Sequence, residues 1–361
     1  MSKIKGIKGL VIGVVAISLL LVGSAAYAAD QMSFISKEFS NISETEAMSK
    51  LSESSFDALL SDINAMGDNV DMSDLIFHAN ALSEKAAVEV SQERIIKEIA
   101  NEYNSDAARV ILTQIYRRMG NDGNNTELVA MLERGDVDFE IKRNILLNLY
   151  QSPTANADVF VKVALGEDNR LAFHAIKILN EVDSKAAIEI ADGIIKGFDG
   201  DVTEKVCAAI KVKATQLRGS SDKGEILEFI SFCDDILAKE YKKDDIVTDT
   251  VIFALSDIMS VDAISYIVMS EKIDNIAKSY CINQNYSVLE KMLTGDATKT
   301  DVEIVSEAMR IYPIADMVSP LQSVLSSQLE SRSDESDETT KQIQSIIEFV
   351  SENGLKATGK Y

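Results

Sequence analysis

Residues 184–201, SKAAIEIADGIIKGFDGD, decide the fold. Ala187, Ile190, Ala191, Ile194, Ile195 and Phe198 fall at i, i+3, i+4, i+7, i+8 and i+11. That spacing lays one apolar stripe along a 3.6-residue helix. Gly197-Phe198-Asp199-Gly200-Asp201 then breaks it. Glycine stops a helix, and an Asp or Ser side chain caps the next one.

Working outward, the same pattern holds almost throughout. Leu171, Ala175, Ile178, Leu179 and Val182 repeat the stripe, and Ile226, Ile230, Cys233 and Leu237 do so again. Gly135-Asp136, Gly166-Glu167-Asp168-Asn169 and Gly219-Ser220-Ser221-Asp222 are further breaks. The β-branched run Val247–Phe253 continues into Ala254, Leu255 and Ile258 at helical spacing, so it too reads as helix. The segments number about eighteen from Met32 to Asn353, each roughly 10–18 residues long. Strict alternation of the strand kind persists nowhere. The expected class is all-α, with short turns that make successive helices antiparallel neighbours.

A weak internal repeat runs through the middle of the chain. Asp138, Asp168, Asp201 and Asp245 each open a helix, where an acid suits the positive end of the helix dipole. The first apolar positions behind them are Ile141, Leu171, Val202 and Ile246, spaced 30, 31 and 44 residues apart. Paired apolar helices at this period, opened by acids, resemble the HEAT and armadillo-like α-solenoids over about Asn125 to Leu293. The Trp, Gly-Tyr and Pro positions of tetratricopeptide repeats are absent. The resemblance implies antiparallel helix-pair repeats and a curved surface for a protein or peptide. It transfers no residue-level site.

The N-terminus reads as an export signal. Lys3, Lys5 and Lys8 precede the apolar run Leu10–Val22, and no acid occurs before Asp30. Ala26-Tyr27-Ala28 is the small-x-small pattern that a signal peptidase accepts, so cleavage is expected between Ala28 and Ala29. The alternative is an uncleaved anchor. Leu10–Ala29 is 20 residues, enough to cross about 30 Å of hydrocarbon. Either reading places the rest of the chain outside the cytoplasm, periplasmic or secreted, and membrane contact follows only from the anchor. The expected organisation is a signal peptide at 1–28, N-terminal capping helices at 29–70 and an α-solenoid at 71–330. An acidic, serine-rich linker at 331–340 and a last helix with its tail at 341–361 complete it.

The formal net charge is −22, and the signal carries three lysines and no acid, so the exported part is more acidic still. Nucleic-acid affinity comes largely from phosphate neutralisation by Lys and Arg, and this charge opposes it. It opposes adsorption to anionic lipid for the same reason. Three cysteines, Cys207, Cys233 and Cys281, are too few for a disulfide framework in 361 residues. Cys207 and Cys233 fall on apolar stripes and read as small core residues.

The residues that carry chemistry form no recognisable set. His78 and His174 are the only histidines, and neither has a ligand-type residue at i+3 or i+4. Asp62–Asp74 has a glycine at the sixth position of a calcium loop. However, it places Met66 where an oxygen ligand belongs and Ser73 where a bidentate Glu belongs, and reads as a turn with Asp71 or Ser73 capping a helix from Asp74. Asn41, Asn124 and Asn285 begin glycosylation patterns. Nucleophile elbows, phosphate loops and zinc-protease motifs are missing. No catalytic, metal or cofactor residue is assigned. The expected function is a non-enzymatic protein- or peptide-binding or scaffold module. The alternative is an extracytoplasmic hydrolase acting on a cell-wall or extracellular polymer through acidic residues.

Overall fold

The computed structural model describes residues 54–66, 72–119, 125–152, 157–240, 245–294, 297–331 and 334–356. They form eighteen α-helices, one 3-10 turn and no strand. The signal segment, with Ala26, Ala28 and Ala29, lies outside the described residues. Among the described residues, no helix is long and apolar enough to cross a membrane. The chain divides into two compact units, residues 1–178 and 179–361.

The first unit holds α1 (Phe56–Ala65), α2 (Met72–Glu89), α3 (Gln92–Ala100), α4 (Asp106–Arg118), α5 (Thr126–Glu133), α6 (Phe139–Tyr150) and α7 (Ala157–Leu165). It also holds most of α8 (Asn169–Val182). The second holds α9 (Ser184–Lys196), α10 (Glu204–Leu217), α11 (Lys223–Glu240), α12 (Asp245–Asp257), α13 (Val261–Met269) and α14 (Asn275–Gln284). It continues with α15 (Tyr286–Met292), α16 (Lys299–Ile311), α17 (Val318–Ser331) and α18 (Asp334–Asn353).

Side-chain caps set where these helices start. Ser55, Ser91, Ser105, Asp138, Asp183, Thr203, Ser260, Asp274 and Thr298 each accept a backbone N–H of the first turn. Each such bond satisfies a donor that the helix itself leaves unpaired. Thr298 and Asp301 close a full capping box.

The helices then stack in sequence. In the second unit, α10 packs on α12, α12 on α14, α14 on α16 and α16 on α18. Next to that row, α11 packs on α13 and α13 on α15. In the first unit, α2 packs on α4, α4 on α6, and α3 on α5. Packing on the next-but-one helix builds two adjoining layers, an arrangement compatible with a helical solenoid. One continuous apolar core runs through the second unit from Val206 to Val350.

One helix hairpin occurs three times in a shared form. The pairs α3/α4, α5/α6 and α13/α14 each join a short helix to a longer or equal one through four residues and a cap. The residue before each cap is buried, whether Asn104, Val137 or Ile273. Four residues after each cap stands a cation: Arg109, Lys142 or Lys278. Arg109 Nε donates to the Ile99 carbonyl at 2.8 Å, and Lys278 Nζ donates to the Val268 carbonyl at 2.8 Å. Both acceptors are the penultimate residue of the preceding helix, where carbonyls lack helical partners. Both cations are buried, and that burial pulls their pKa values below the ordinary range.

Several expectations are corrected. Asp201 and Val202 precede α10, and its cap is Thr203, whose hydroxyl reaches the Val206 N–H. Ile246, the first apolar position of its helix, is 78% exposed. Val247 and Val251 of the same helix face the core in its place. Helix α2 starts at Met72, two residues before Asp74. Most of the polar run 331–340 belongs to α18, which starts at Asp334 and buries Thr339 and Thr340. Its apolar half, Ile343, Ile346 and Val350, docks on the core and carries the polar turns with it. By contrast, Ile141, Leu171, Cys207 and Cys233 are buried as expected, and Cys281 is buried with them.

Burial pushes the Cys233 thiol far above the usual range and that of Cys281 up to about 11. Thiolate is the reactive form. A colorimetric thiol reagent is therefore expected to find no rapidly reacting thiol in the native protein and three after denaturation.

Candidate functional site: an exposed aromatic strip

Helix α12 carries apolar residues on more than one face. Val247, Val251, Ile252, Ala254, Leu255 and the following Ile258 are buried in the second unit's core. That leaves Ile246 and Phe253, two turns apart, on the other side. On α14, Lys278, Cys281 and Ile282 point inward, while Ile276 and Tyr280, one turn apart, point out. Helices α12 and α14 are neighbours in one layer, and this brings two of the outward residues together. The Phe253 and Tyr280 rings meet edge to face, with centroids 5.1 Å apart and planes at 69°. They remain 40% and 52% exposed, and Ile276 is 86% exposed.

Carboxylates border this strip. Asp249 and Asp257 lie one turn to either side of Phe253 on α12, and both are exposed. A paired aromatic surface left in water has unmet burial energy, about 25 cal/mol per Å2 of apolar area. Such surfaces mark interaction sites more often than scattered single residues do.

Two charged clusters elsewhere in the second unit are structural in form. Lys213 on α10 is buried, and its ammonium is 2.8 Å from Asp192 of α9 and bonded to Glu225 of α11. Burial works against its charge, but the two carboxylate bonds prevail and hold its pKa above the ordinary value. Asp234 on α11 accepts from Lys272 Nζ at 2.6 Å and from the Tyr266 hydroxyl at 2.5 Å. The Lys272 bond, then the Tyr266 bond, lower the Asp234 pKa. The first cluster fastens the consecutive helices α9, α10 and α11, and the second fastens α11 to α13 and the turn that follows it. Among the described residues no Asp or Glu is buried, and no three His, Cys, Asp or Glu side chains converge as for a metal.

The two histidines lie in the first unit. His78 Nδ1 is 2.8 Å from the Asp74 carbonyl on its own helix. His174 sits among rings, with its centroid 5.3 Å from Phe173 and 6.0 Å from Phe139, and Arg170 stacks over Phe139 at 3.8 Å. Burial, then the charges of Arg143, Lys177 and Arg170, depress the His174 pKa from 6.5 to about 4, against a small opposing pull from Asp168. The folded state therefore refuses a proton that the unfolded chain accepts. Stability is unaffected above pH 6.5 and falls as pH drops towards 4. With partial exposure discounted, the loss is about 1–2 kcal/mol. His174→Gln is expected to reduce the drop in melting temperature between pH 7 and pH 5. An unchanged slope would show that the imidazole is not its source.

Of the glycosylation patterns, Asn41 and Asn124 lie outside the described residues. Asn285 is buried at the α14–α15 junction, where its amide Nδ2 donates to Ser256 and Cys281. A folded chain cannot offer it to a transferase. Residues 67–71 of the calcium-like stretch also lie outside the described residues.

The sequence pattern did not single out Phe253 and Tyr280. The available signal was α12 itself: its seven apolar residues spread over more than one face, and in a two-layer stack such a helix must leave some of them in water. No known family model matches this chain, and no curated protein matches it.

Proposed function

We propose that this protein is an exported, non-enzymatic helical-repeat module of the HEAT or armadillo-like α-solenoid kind. It binds a protein or peptide through the exposed strip on α12 and α14. The observation that carries this reading is the edge-to-face Phe253–Tyr280 pair, held in water by two stacked helices. Next-but-one packing supports the solenoid assignment, because stacked repeats present one helix row as a continuous surface. Export rests on the residues around Ala26, Ala28 and Ala29. The acidic border of the strip favours a partner with basic residues around an apolar anchor.

The test is affinity capture from the extracytoplasmic fraction with wild type and with Phe253→Ser/Tyr280→Ser. Both side chains are exposed, so the double variant should keep its melting temperature within a few degrees. A partner retained by wild type and lost by the variant is the expected result. Equal recovery by both proteins would remove the strip as the binding site. A monomer that recovers nothing would count against a binding function altogether.

A further inference from the structure

A second site follows from a break in the hairpin repeat. Arg109 and Lys278 spend their charge on the penultimate carbonyl of the preceding helix. Lys142 occupies the equivalent position in α5/α6, where the matching acceptor would be the Leu132 carbonyl. That bond is not made. The Lys142 ammonium has no hydrogen bond or ion pair among the described residues, and its side chain is half-buried. It lines a cavity of about 410 Å3 together with residues of α5, α7 and α8.

The walls of this cavity are aliphatic: Val129 and Leu132 of α5, Val159 and Val163 of α7, and Leu171 of α8. Its volume lies within the roughly 300–1,000 Å3 of ordinary ligand sites. The other charged groups stand at the mouth and are exposed. Glu133 is paired with Lys162. Asp168 caps α8 by accepting the Leu171 N–H at 3.0 Å. Asp158 and Glu167 complete the rim. The half-buried charge is thus one cation beside an apolar space, behind a rim with more acids than bases.

A cation beside apolar walls favours an anion joined to an aliphatic group, because a charge-assisted bond strengthens as water is excluded. The acidic rim disfavours an occupant that is anionic along its length. A peptide C-terminus meets both conditions: one carboxylate, an adjacent apolar side chain, and an upstream chain free to carry Lys or Arg past the rim. We propose that this cavity captures the C-terminal end of a peptide whose last residue is aliphatic. Its carboxylate bonds Lys142, its side chain fills the space between α5, α7 and α8, and basic residues lie upstream. This site is separate from the α12–α14 strip, and neither depends on the other.

The experiment uses fluorescence anisotropy on the intact exported chain. The probe is a labelled peptide ending in Lys-Lys-Ala-Leu with a free carboxylate, compared with its C-terminal amide. Wild type is expected to bind the acid at least about tenfold more tightly than the amide, the worth of one charged hydrogen bond. Lys142→Met keeps an unbranched side chain one atom shorter and removes the charge, so it should bind acid and amide alike. Phe253→Ser/Tyr280→Ser should retain the full acid preference. Equal binding of acid and amide by wild type would overturn the proposal, as would no binding of either. Competition by N-acetyl-leucine at the affinity of the peptide would also overturn it, in favour of a small-carboxylate site.

Discussion

Asn285→Asp is expected to be the most damaging isosteric change in the second unit. The Asn285 amide nitrogen donates to the Ser256 carbonyl at 3.2 Å, to the Ser256 hydroxyl at 2.8 Å and to the Cys281 carbonyl at 3.0 Å. It ties α12 to the end of α14 from a site only 1% exposed. Aspartate has the same shape but presents an anion to the Ser256 and Cys281 carbonyl oxygens, and neither carries a counter-charge. An uncompensated buried charge costs about 3–5 kcal/mol. Asn285→Ala, which loses the bonds and leaves a small gap, should cost about 1–3 kcal/mol.

The ordering of the two variants is the informative part, and it carries a pH signature. Burial raises the pKa of the new carboxyl in the folded state. At neutral pH the penalty is therefore present in full. It is relieved as pH falls through the raised folded value towards about 3.9, the value of an unfolded Asp. Urea unfolding at pH 7 and pH 5 should show Asn285→Asp recovering part of its deficit while Asn285→Ala does not. If Asp proves no worse than Ala at pH 7, the Ser256–Asn285–Cys281 network contributes little.

Gly354→Ala is expected to open the C-terminal closure of the second unit. The Leu355 N–H donates to the Pro313 carbonyl at 2.9 Å, and the Ala315 N–H donates to the Leu355 carbonyl at 2.8 Å. This parallel bridge fixes the end of α18 against the turn before α17. A Cβ on Gly354 would fall 2.5 Å from the Val350 carbonyl oxygen, 2.8 Å from Ala315 Cα and 2.9 Å from Ala315 N. All three are backbone atoms and cannot rotate away as a side chain would. Here glycine is required by close approach, not by a left-handed φ.

Forced overpacking costs about 1–3 kcal/mol. The loss should be local at first, because α18 and the turn before α17 lie at the end of the stack. Hydrogen exchange should accelerate at Ala315 and Leu355 while the amides of α12 and α13 stay protected. Leu355→Ala, at a half-exposed side chain, should leave both bridge amides slow. Rapid exchange at Ala315 and Leu355 in the wild type would show that the closure is already open.

Local spacing along the chain sets the helices and much of their inward faces. The period of Leu171, Ala175, Ile178 and Leu179 is a local property, and all four are buried. Asp138 and Asp168 cap their helices because a carboxylate next to an unpaired N–H acts over three residues. Ile141, Cys207 and Cys233 are core residues on the same grounds. What each remaining face meets depends on how the helices pack. Periodicity assigns residues to a face and leaves open whether a neighbour covers it. Thus Ile246 and Phe253 stand in water although they are as apolar as the buried Val247, Val251 and Ile252 of the same helix. The polar run 331–340 becomes mostly helix because its downstream half docks. Arg109, Lys142 and Lys278 share one position in a repeated hairpin, yet two close on a carbonyl and one turns towards a cavity. That difference depends on which carbonyl or aliphatic wall the neighbouring helix brings within reach, and no spacing along the chain encodes it.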